Sequence, residues 1–187
     1  MRQAFHVREI KRLKLILKAS ERYDRNEELA MTIEGFSDQL SAYGFSTDVR
    51  VRLSETDAVG IVFFGTYAHY FDIGRMDYLA HLGLNQHDGA VRDLIPGVVV
   101  GHDVRFTSPA RYNDVLAVFV RLAAIGSTSY TFHLKIVNKR SRASVAAGSL
   151  TLVWMDTDHQ PVRVPETFRS VIREFEGSHL TERHEPS

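Results

Sequence analysis

The sequence predicts an α+β fold in which an antiparallel sheet packs on one long helix. Three observations carry that expectation. Residues 45–53 alternate polar and apolar with period two, residues 67–82 carry an aromatic stripe at helical spacing, and four β-rich segments then follow in succession. The links between those last segments are too short for the helical crossovers that a doubly wound parallel sheet requires.

In order along the chain, residues 2–25 are rich in Lys and Arg, with Ile10, Leu13 and Leu17 recurring at helical spacing. They read as a basic amphipathic helix inside an N-terminal extension spanning 1–43, whose plainer reading is a solvated or frayed terminus. In the first strand Phe45, Thr47, Val49, Val51 and Leu53 take one face and Ser46, Asp48, Arg50 and Arg52 the other. In the helix Tyr67, Phe71, Gly74, Tyr78 and Leu82 fall at i, i+4, i+7, i+11 and i+15, and Gly83 marks its end. The later strands are expected at 97–106, 115–125, 129–137 and 144–155. Pro109, the Tyr112-Asn113-Asp114 triplet, Gly126 and the polar run 138–142 punctuate them as turns. Residues 158–161 form a last turn and Pro165 opens a short helix to about Phe175. One domain, 44–176, is therefore expected, followed by a polar tail at 177–187.

The composition narrows the function. The chain has 187 residues, 44% hydrophobic and 25% charged, as in globular proteins. Its 23 basic residues balance 23 acidic ones, so no global field recruits nucleic acid or an anionic membrane, and any polyanion must be met locally. There is no cysteine, which removes disulfides, thiolate ligands and a cysteine nucleophile and fits a reducing compartment. No run approaches the roughly 18 apolar residues of a membrane-spanning helix, and no secretory signal is readable, so the expected location is the cytoplasm.

Several chemistries lack their signatures. The His residues do not form the HExxH pattern of a zinc hydrolase, and His69 and His81 have no ligand partner at metal spacing. Gly126-Ser127 and Gly148-Ser149 lack the trailing glycine of a serine nucleophile elbow. Neither a Walker phosphate loop nor a dinucleotide fingerprint occurs.

One segment does carry chemistry. Between strand and helix the chain reads Ser54-Glu55-Thr56-Asp57-Ala58-Val59-Gly60-Ile61-Val62-Phe63-Phe64-Gly65-Thr66-Tyr67. A carboxylate there stands near the start of a helix, where backbone N–H groups can polarise a carbonyl. Taken alone, Asp57 reads first as a turn or helix-capping aspartate, and Glu55 as a solvated neighbour.

This segment, with Val51-Arg52-Leu53 before it and Phe71-Asp72, Arg75 and Tyr78-Leu79 after it, resembles the 4-hydroxybenzoyl-coenzyme A thioesterase family. The likeness runs from about Phe45 to Phe175 and takes in Arg105-Phe106, Pro109-Ala110, Asp114 and Pro165-Glu166. The resemblance implies a hotdog fold, an antiparallel β-sheet wrapped around a long central α-helix. It implies hydrolysis of an acyl-CoA thioester, aromatic acyl groups included, to a free acid and CoA. Asp57 would be nucleophile or general base, and the amides of Phe64 or Gly65 would hold the carbonyl oxygen. Glu55 is a supporting residue. Gly60, Ile61, Val62, Tyr67 and Phe71 would contact substrate, although an aromatic stripe at helical spacing is more often core. No metal or redox cofactor is expected, coenzyme A being part of the substrate. The expected partners are copies of the chain itself, as a homodimer or a homotetramer built as a dimer of dimers, without nucleic acid.

The chain also departs from that family. At Phe64 the Tol-Pal-associated branch has histidine, whereas the hydroxybenzoyl branch has an aromatic residue as here, which leaves Asp57 without a neighbouring base. Thr66 replaces a common asparagine. The basic side chains that meet the coenzyme A phosphates near the fourth strand are replaced by Gly126-Ser127-Thr128-Ser129-Tyr130, leaving Lys139, Arg140, Arg142 or Arg111 as substitutes. Two other readings stand beside the acyl-CoA hydrolase. One is a non-catalytic acyl-CoA-binding regulatory module, the other a thioesterase acting on acyl carrier protein.

Overall fold

The computed structural model describes residues 40–84 and 97–182, so the basic segment expected at 2–25 lies outside the described residues. Strand β1 (Phe45–Arg50) leads through a 3-10 turn (Leu53–Glu55) and a loop into helix α1 (Thr66–His81). Four strands follow: β2 (Val98–Phe106), β3 (Val115–Ile125), β4 (Ser129–Asn138) and β5 (Ser144–Val153). Helix α2 (Glu166–Glu176), a 3-10 turn (Gly177–His179) and a short strand β6 (Thr181–Glu182) complete the order. The sheet order is β1-β3-β4-β5-β2, all antiparallel, with β6 added parallel to β3 beyond the end of β1. An antiparallel sheet packed on one long helix is thus the architecture.

Two details correct the sequence reading. The first strand ends at Arg50 rather than Leu53; the chain turns there, and Leu53, expected to point inward, is 69% exposed. Residues 177–182, expected to open a polar tail, instead reach β3, where Ala124 and Ile125 pair with Thr181 and Glu182.

The period-two pattern settles which strand faces meet the helix. Val118 and Val120 on β3 are fully buried and lie beneath α1. A Cβ on Gly74 would stand 2.7 Å from a Val118 methyl and 2.9 Å from one of Val120, so the glycine in the aromatic stripe lets helix and sheet approach closely. Tyr78, one turn on, packs edge-to-face against Phe45, Phe132 and Phe175, which ties α1 to β1, β4 and α2.

A buried carboxylate closes this end of the core. Glu176 Oε1 accepts the Tyr78 hydroxyl at 2.6 Å and the Leu122 amide at 2.8 Å. Burial pushes the Glu176 carboxyl above its ordinary value, and the two donors, with Arg121 and His179, only partly offset it. The folded protein therefore holds this proton more tightly than the unfolded chain does. Stability linked to Glu176 is fully present below about pH 4.5, the unfolded value, and is lost as pH rises through the raised folded value. Glu176→Gln keeps an oxygen for both donors. In thermal melts from pH 4 to 8 its Tm relative to the parent is expected to rise with pH. A difference that stays constant would overturn this account.

Candidate active site

The 51–65 loop is built by its own backbone. Val51 N–H donates to Asp114 O and Asn113 N–H to Val51 O, anchoring the loop's start beside β3. Thr56 and Val62 form an antiparallel bridge, and Val62 N–H donates to Ala110 O at 2.9 Å, anchoring its other leg. The turn between them is closed by Asp57 N–H to Ile61 O at 2.8 Å and Gly60 N–H to Asp57 O at 2.9 Å. Gly60 has φ +79°, a conformation that disfavours any side chain there.

Asp57 is half-buried within this turn. Its Oδ1 accepts the Val59 amide at 2.8 Å and the Ile61 amide at 3.4 Å. The turn-capping role open to a loop aspartate is therefore occupied, but by one carboxylate oxygen. Oδ2 has no hydrogen-bond partner among the described residues.

Glu55 holds the loop from below. Its Oε2 accepts the Arg52 amide and the Tyr70 hydroxyl, each at 2.7 Å, and its carbonyl accepts the Phe63 amide at 2.9 Å. Burial and the adjacent Glu55 carboxylate raise the Tyr70 phenol far above its usual value, so Tyr70 acts as a fixed donor.

The leg leaving the bridge delivers Phe63, Phe64 and Gly65 to the start of α1. The two phenylalanines are 47% and 69% exposed, unusual for such rings. Helix α1 has no side-chain cap: Gly65 occupies the N-cap position, Thr66 N–H donates to Phe63 O, and Tyr67 N–H makes a long 3.4 Å contact with Phe64 O. The amides of Phe64 and Gly65 have no partner among the described residues. One loop thus presents a carboxylate with one oxygen committed and two available N–H groups where a helix dipole is positive.

The other predicted residues are placed differently. Gly60 and Ile61 form the Asp57 turn, while Val62 is buried under it. Tyr67 and Phe71 are core residues: Tyr67 packs on Tyr70 and Phe106, and Phe71 lies against Gly148 and His102. Their faces are occupied within the chain.

Beside the loop runs a groove of about 590 Å³. Glu55, His69 and Ile73 form one side, and Arg50, Arg52 and Tyr112 lie along the rest. Sequence reasoning missed it. Arg50 and Arg52 read as the solvated face of β1, and nothing local announces that the β1–β3 register sets them beside Tyr112 and Asn113.

Comparison with known proteins bears on this geometry. The model of the thioesterase-like superfamily matches residues 51–172. The chain is 27% identical over 140 residues to acyl-acyl carrier protein thioesterase ATL2 of Arabidopsis thaliana, covering 72% of this chain and 71% of that protein. It is 27% identical over 131 residues to acyl-CoA thioester hydrolase YbgC of Escherichia coli, covering 70% of this chain and 95% of that one. The crystal structure of a Thermus thermophilus thioesterase complexed with coenzyme A and zinc superposes with a TM-score of 0.64 at 24% identity. The match covers 73% of this chain and 97% of that chain, a likeness of fold.

Proposed function

The chain belongs to the thioesterase-like superfamily and is a thioester hydrolase, and from that premise we propose that it hydrolyses an acyl-coenzyme A to the free acid and coenzyme A, with Asp57 as its catalytic carboxylate. The observation that carries the reading is the loop itself, which sets one unengaged Asp57 oxygen and the unpartnered Phe64 and Gly65 amides on the two legs of a single bridged turn. In the reaction Oδ2 either attacks the thioester carbonyl or takes a proton from the attacking water. The oxyanion that forms is held by the two N–H groups, and the C–S bond breaks to release the thiolate of coenzyme A; on the nucleophilic route water then cleaves the Asp57–acyl anhydride to the free acid and restores the carboxylate, and on the general-base route the proton on Asp57 passes to the thiolate. An oxyanion donor of this kind is typically worth on the order of 10²–10³ in rate.

Aromatic acyl groups are the first to test, because Phe64 matches the 4-hydroxybenzoyl branch that the motif resembles. The experiment is thiol release from aryl, short-chain and long-chain acyl-CoAs and from acyl carrier protein thioesters, the last because of the chloroplast relatives. With no cysteine in the chain, a thiol reagent reports product alone. Turnover confined to carrier-protein substrates would overturn the coenzyme A assignment.

We also propose that the working unit is a homodimer or a dimer of dimers. Strand β2 is the sheet edge beyond β5, and Val98, Val99 and Val100 on it are 49%, 46% and 57% exposed. An apolar edge strand of that length is a template for pairing with a second copy. Val99→Lys is expected to yield a monomer in light scattering, with turnover lost. A fully active monomer would count against the dimeric site.

A further inference from the structure

Two buried donors without a partner meet in one place. Arg75 is 3% exposed and Tyr130 1%, yet Arg75 Nη1 and the Tyr130 hydroxyl have no hydrogen-bond partner among the described residues. Leaving a buried donor unmade is costly, the more so on a charged group. Packing does not call for the hydroxyl, since a phenylalanine ring would meet Phe132, Trp154 and Phe168 equally well.

Both donors lie at the seam between α1 and the edge strand β2. Tyr67 packs on Phe106 and, one turn on, Phe71 packs on His102, so α1 and β2 run in opposite directions. Arg75 follows Phe71 by four residues on the same side of the helix, which sets it toward the start of β2. Tyr130 arrives at that level from the sheet, because Leu152 pairs with Tyr130 on one side and with Val99 on the other. Its hydroxyl reaches the entry of β2, 3.0 Å from where a Cβ on Gly97 would stand, and Gly97, at φ +116°, disfavours any side chain there. Burial raises the Tyr130 phenol above its ordinary value and the nearby Arg75 charge only partly offsets this, so the hydroxyl stays a donor.

Asp72 decides the charge of a ligand here. Its Oδ1 accepts both Nε and Nη2 of Arg75, and it is the one carboxylate that pairs with Arg75 among the described residues. The ion pair is already neutral, so a carboxylate brought beside it would be buried without a cation of its own. Arg75 can only donate and Tyr130 has its proton to give, so the group that fits both is a neutral acceptor oxygen.

The seam can be reached from outside and leads to the reacting centre. His102 is exposed at its rim, and β2 shifts register on β5 between Val99 and Gly101, which interrupts the ladder beside the two donors. Asp72 lies two turns beyond Gly65, roughly 10 Å at 1.5 Å per residue, and Arg75 leans back toward it as long side chains on a helix do. A chain attached at the Phe64 and Gly65 amides would run over Phe106, which is 37% exposed, and over His102 rather than between Tyr67 and Phe71, whose faces are occupied.

Resting on the acyl-coenzyme A hydrolase reading above, we propose that the acyl group lies along the α1–β2 seam and that Arg75 and Tyr130 bind a neutral oxygen on its far part. The preferred substrates are then acyl thioesters with a carbonyl oxygen remote from the thioester. An acyl group that lacks this oxygen leaves both donors unpaired, which is how a site built on hydrogen bonds rejects an analogue.

The test is paired kinetics on the full chain. Straight-chain acyl-CoAs with an oxo group at successive positions, and 4-acetylbenzoyl-CoA, are compared by kcat/KM with their methylene and ethyl parents and with analogues ending in a carboxylate. The same compounds are titrated calorimetrically into Asp57→Asn. The native chain is expected to favour oxo over methylene at least tenfold at one position or two adjacent ones, and to favour carboxylate nowhere. Tyr130→Phe removes only an atom without a partner, so its Tm should not fall while the oxo preference drops several-fold. Arg75→Met should abolish the preference and Arg75→Lys recover part of it. The ratio is taken within one variant, so a general loss of activity cancels. A native preference within twofold at every position overturns the site, as does a carboxylate favoured over the oxo group. Unchanged ratios in Tyr130→Phe overturn it too, and assign the donors to a structural water. The reading beneath it fails separately: oxo-dependent binding without turnover of any acyl-CoA would sink the hydrolase, and a native oxo preference with Asp57→Asn at full turnover would sink Asp57, each leaving the seam standing.

Discussion

Replacing Asp57 with asparagine is expected to lower kcat on the best acyl-CoA by about 10²–10⁴, the range for removing a positioned acid–base group. At 1.36 kcal/mol per decade that is roughly 3–5 kcal/mol of transition-state stabilisation. The substitution suits the geometry because an asparagine carbonyl oxygen can accept the Val59 and Ile61 amides as Oδ1 does. The turn should survive, with thermal stability changed by about 1 kcal/mol or less, so the lost rate reports on the other oxygen. Single turnover in ¹⁸O-water then separates the two chemistries. Label entering the Asp57 peptide marks a covalent anhydride opened at the Asp57 carbonyl, and label found only in the acid product, with no acyl-enzyme trapped by hydroxylamine, marks a general base. Turnover within threefold of the parent would remove Asp57 from the mechanism.

The legibility of this fold follows from where its information lies. Strands β3, β4 and β5 are readable because each is a β-rich run bounded by turn residues, which reports a strand without knowledge of any partner. Helix α1 was readable because its glycine falls in phase with Tyr67, Phe71 and Tyr78, and the structure shows why a larger residue would not fit over Val118. Leu53 misled because an apolar residue continued the period after the backbone had turned at Arg50. Strand β6 had no pattern to read: two polar residues pair with β3 only because α2 returns the chain there.

The loop and the groove divide in the same way. The Asp57 turn is local, spanning five residues with a required glycine, and its outline could be read from the motif. The role of Glu55 was only half visible, since its Tyr70 donor lies 15 residues away. The groove beside the loop was least visible. Arg50 meets Asn113 across 63 positions and Lys139 meets Asp48 across 91, contacts set by strand register rather than spacing. Arg140, weighed from sequence as a phosphate contact, lines a second hollow that shares Arg50 and Asn113 with the groove; Arg50, Arg52 and Tyr112 gave no local signal.

The largest expected effect on stability comes from a single methyl group at Gly148. This residue sits mid-strand on β5, opposite Val104 of β2 and Leu134 of β4. A Cβ there would stand 2.0 Å from the Asp103 carbonyl oxygen and 2.6 Å from the ring of Phe71. The first obstacle is backbone already held in the β2–β5 ladder, and the second is a fully buried ring on α1. Neither can step aside as an exposed side chain would. Gly148→Ala is therefore expected to cost at least about 3 kcal/mol, the upper end for overpacking a core, against a gain of roughly 0.5–1 kcal/mol from the stiffer unfolded chain. At about 2–4 °C per kcal/mol for a chain of this size, the net loss should lower Tm by roughly 4 °C or more. Gly65→Ala is the matched comparison, because the atom in its way belongs to the half-exposed Phe63 ring, which can rotate toward solvent. If Gly148→Ala melts within about 2 °C of the parent, less than the shift expected for a single kcal/mol, β2 does not lie as close to β5 as the structure places it. The edge proposed to pair with a second copy would then have to be redrawn, since β5 alone holds β2 to the sheet among the described residues.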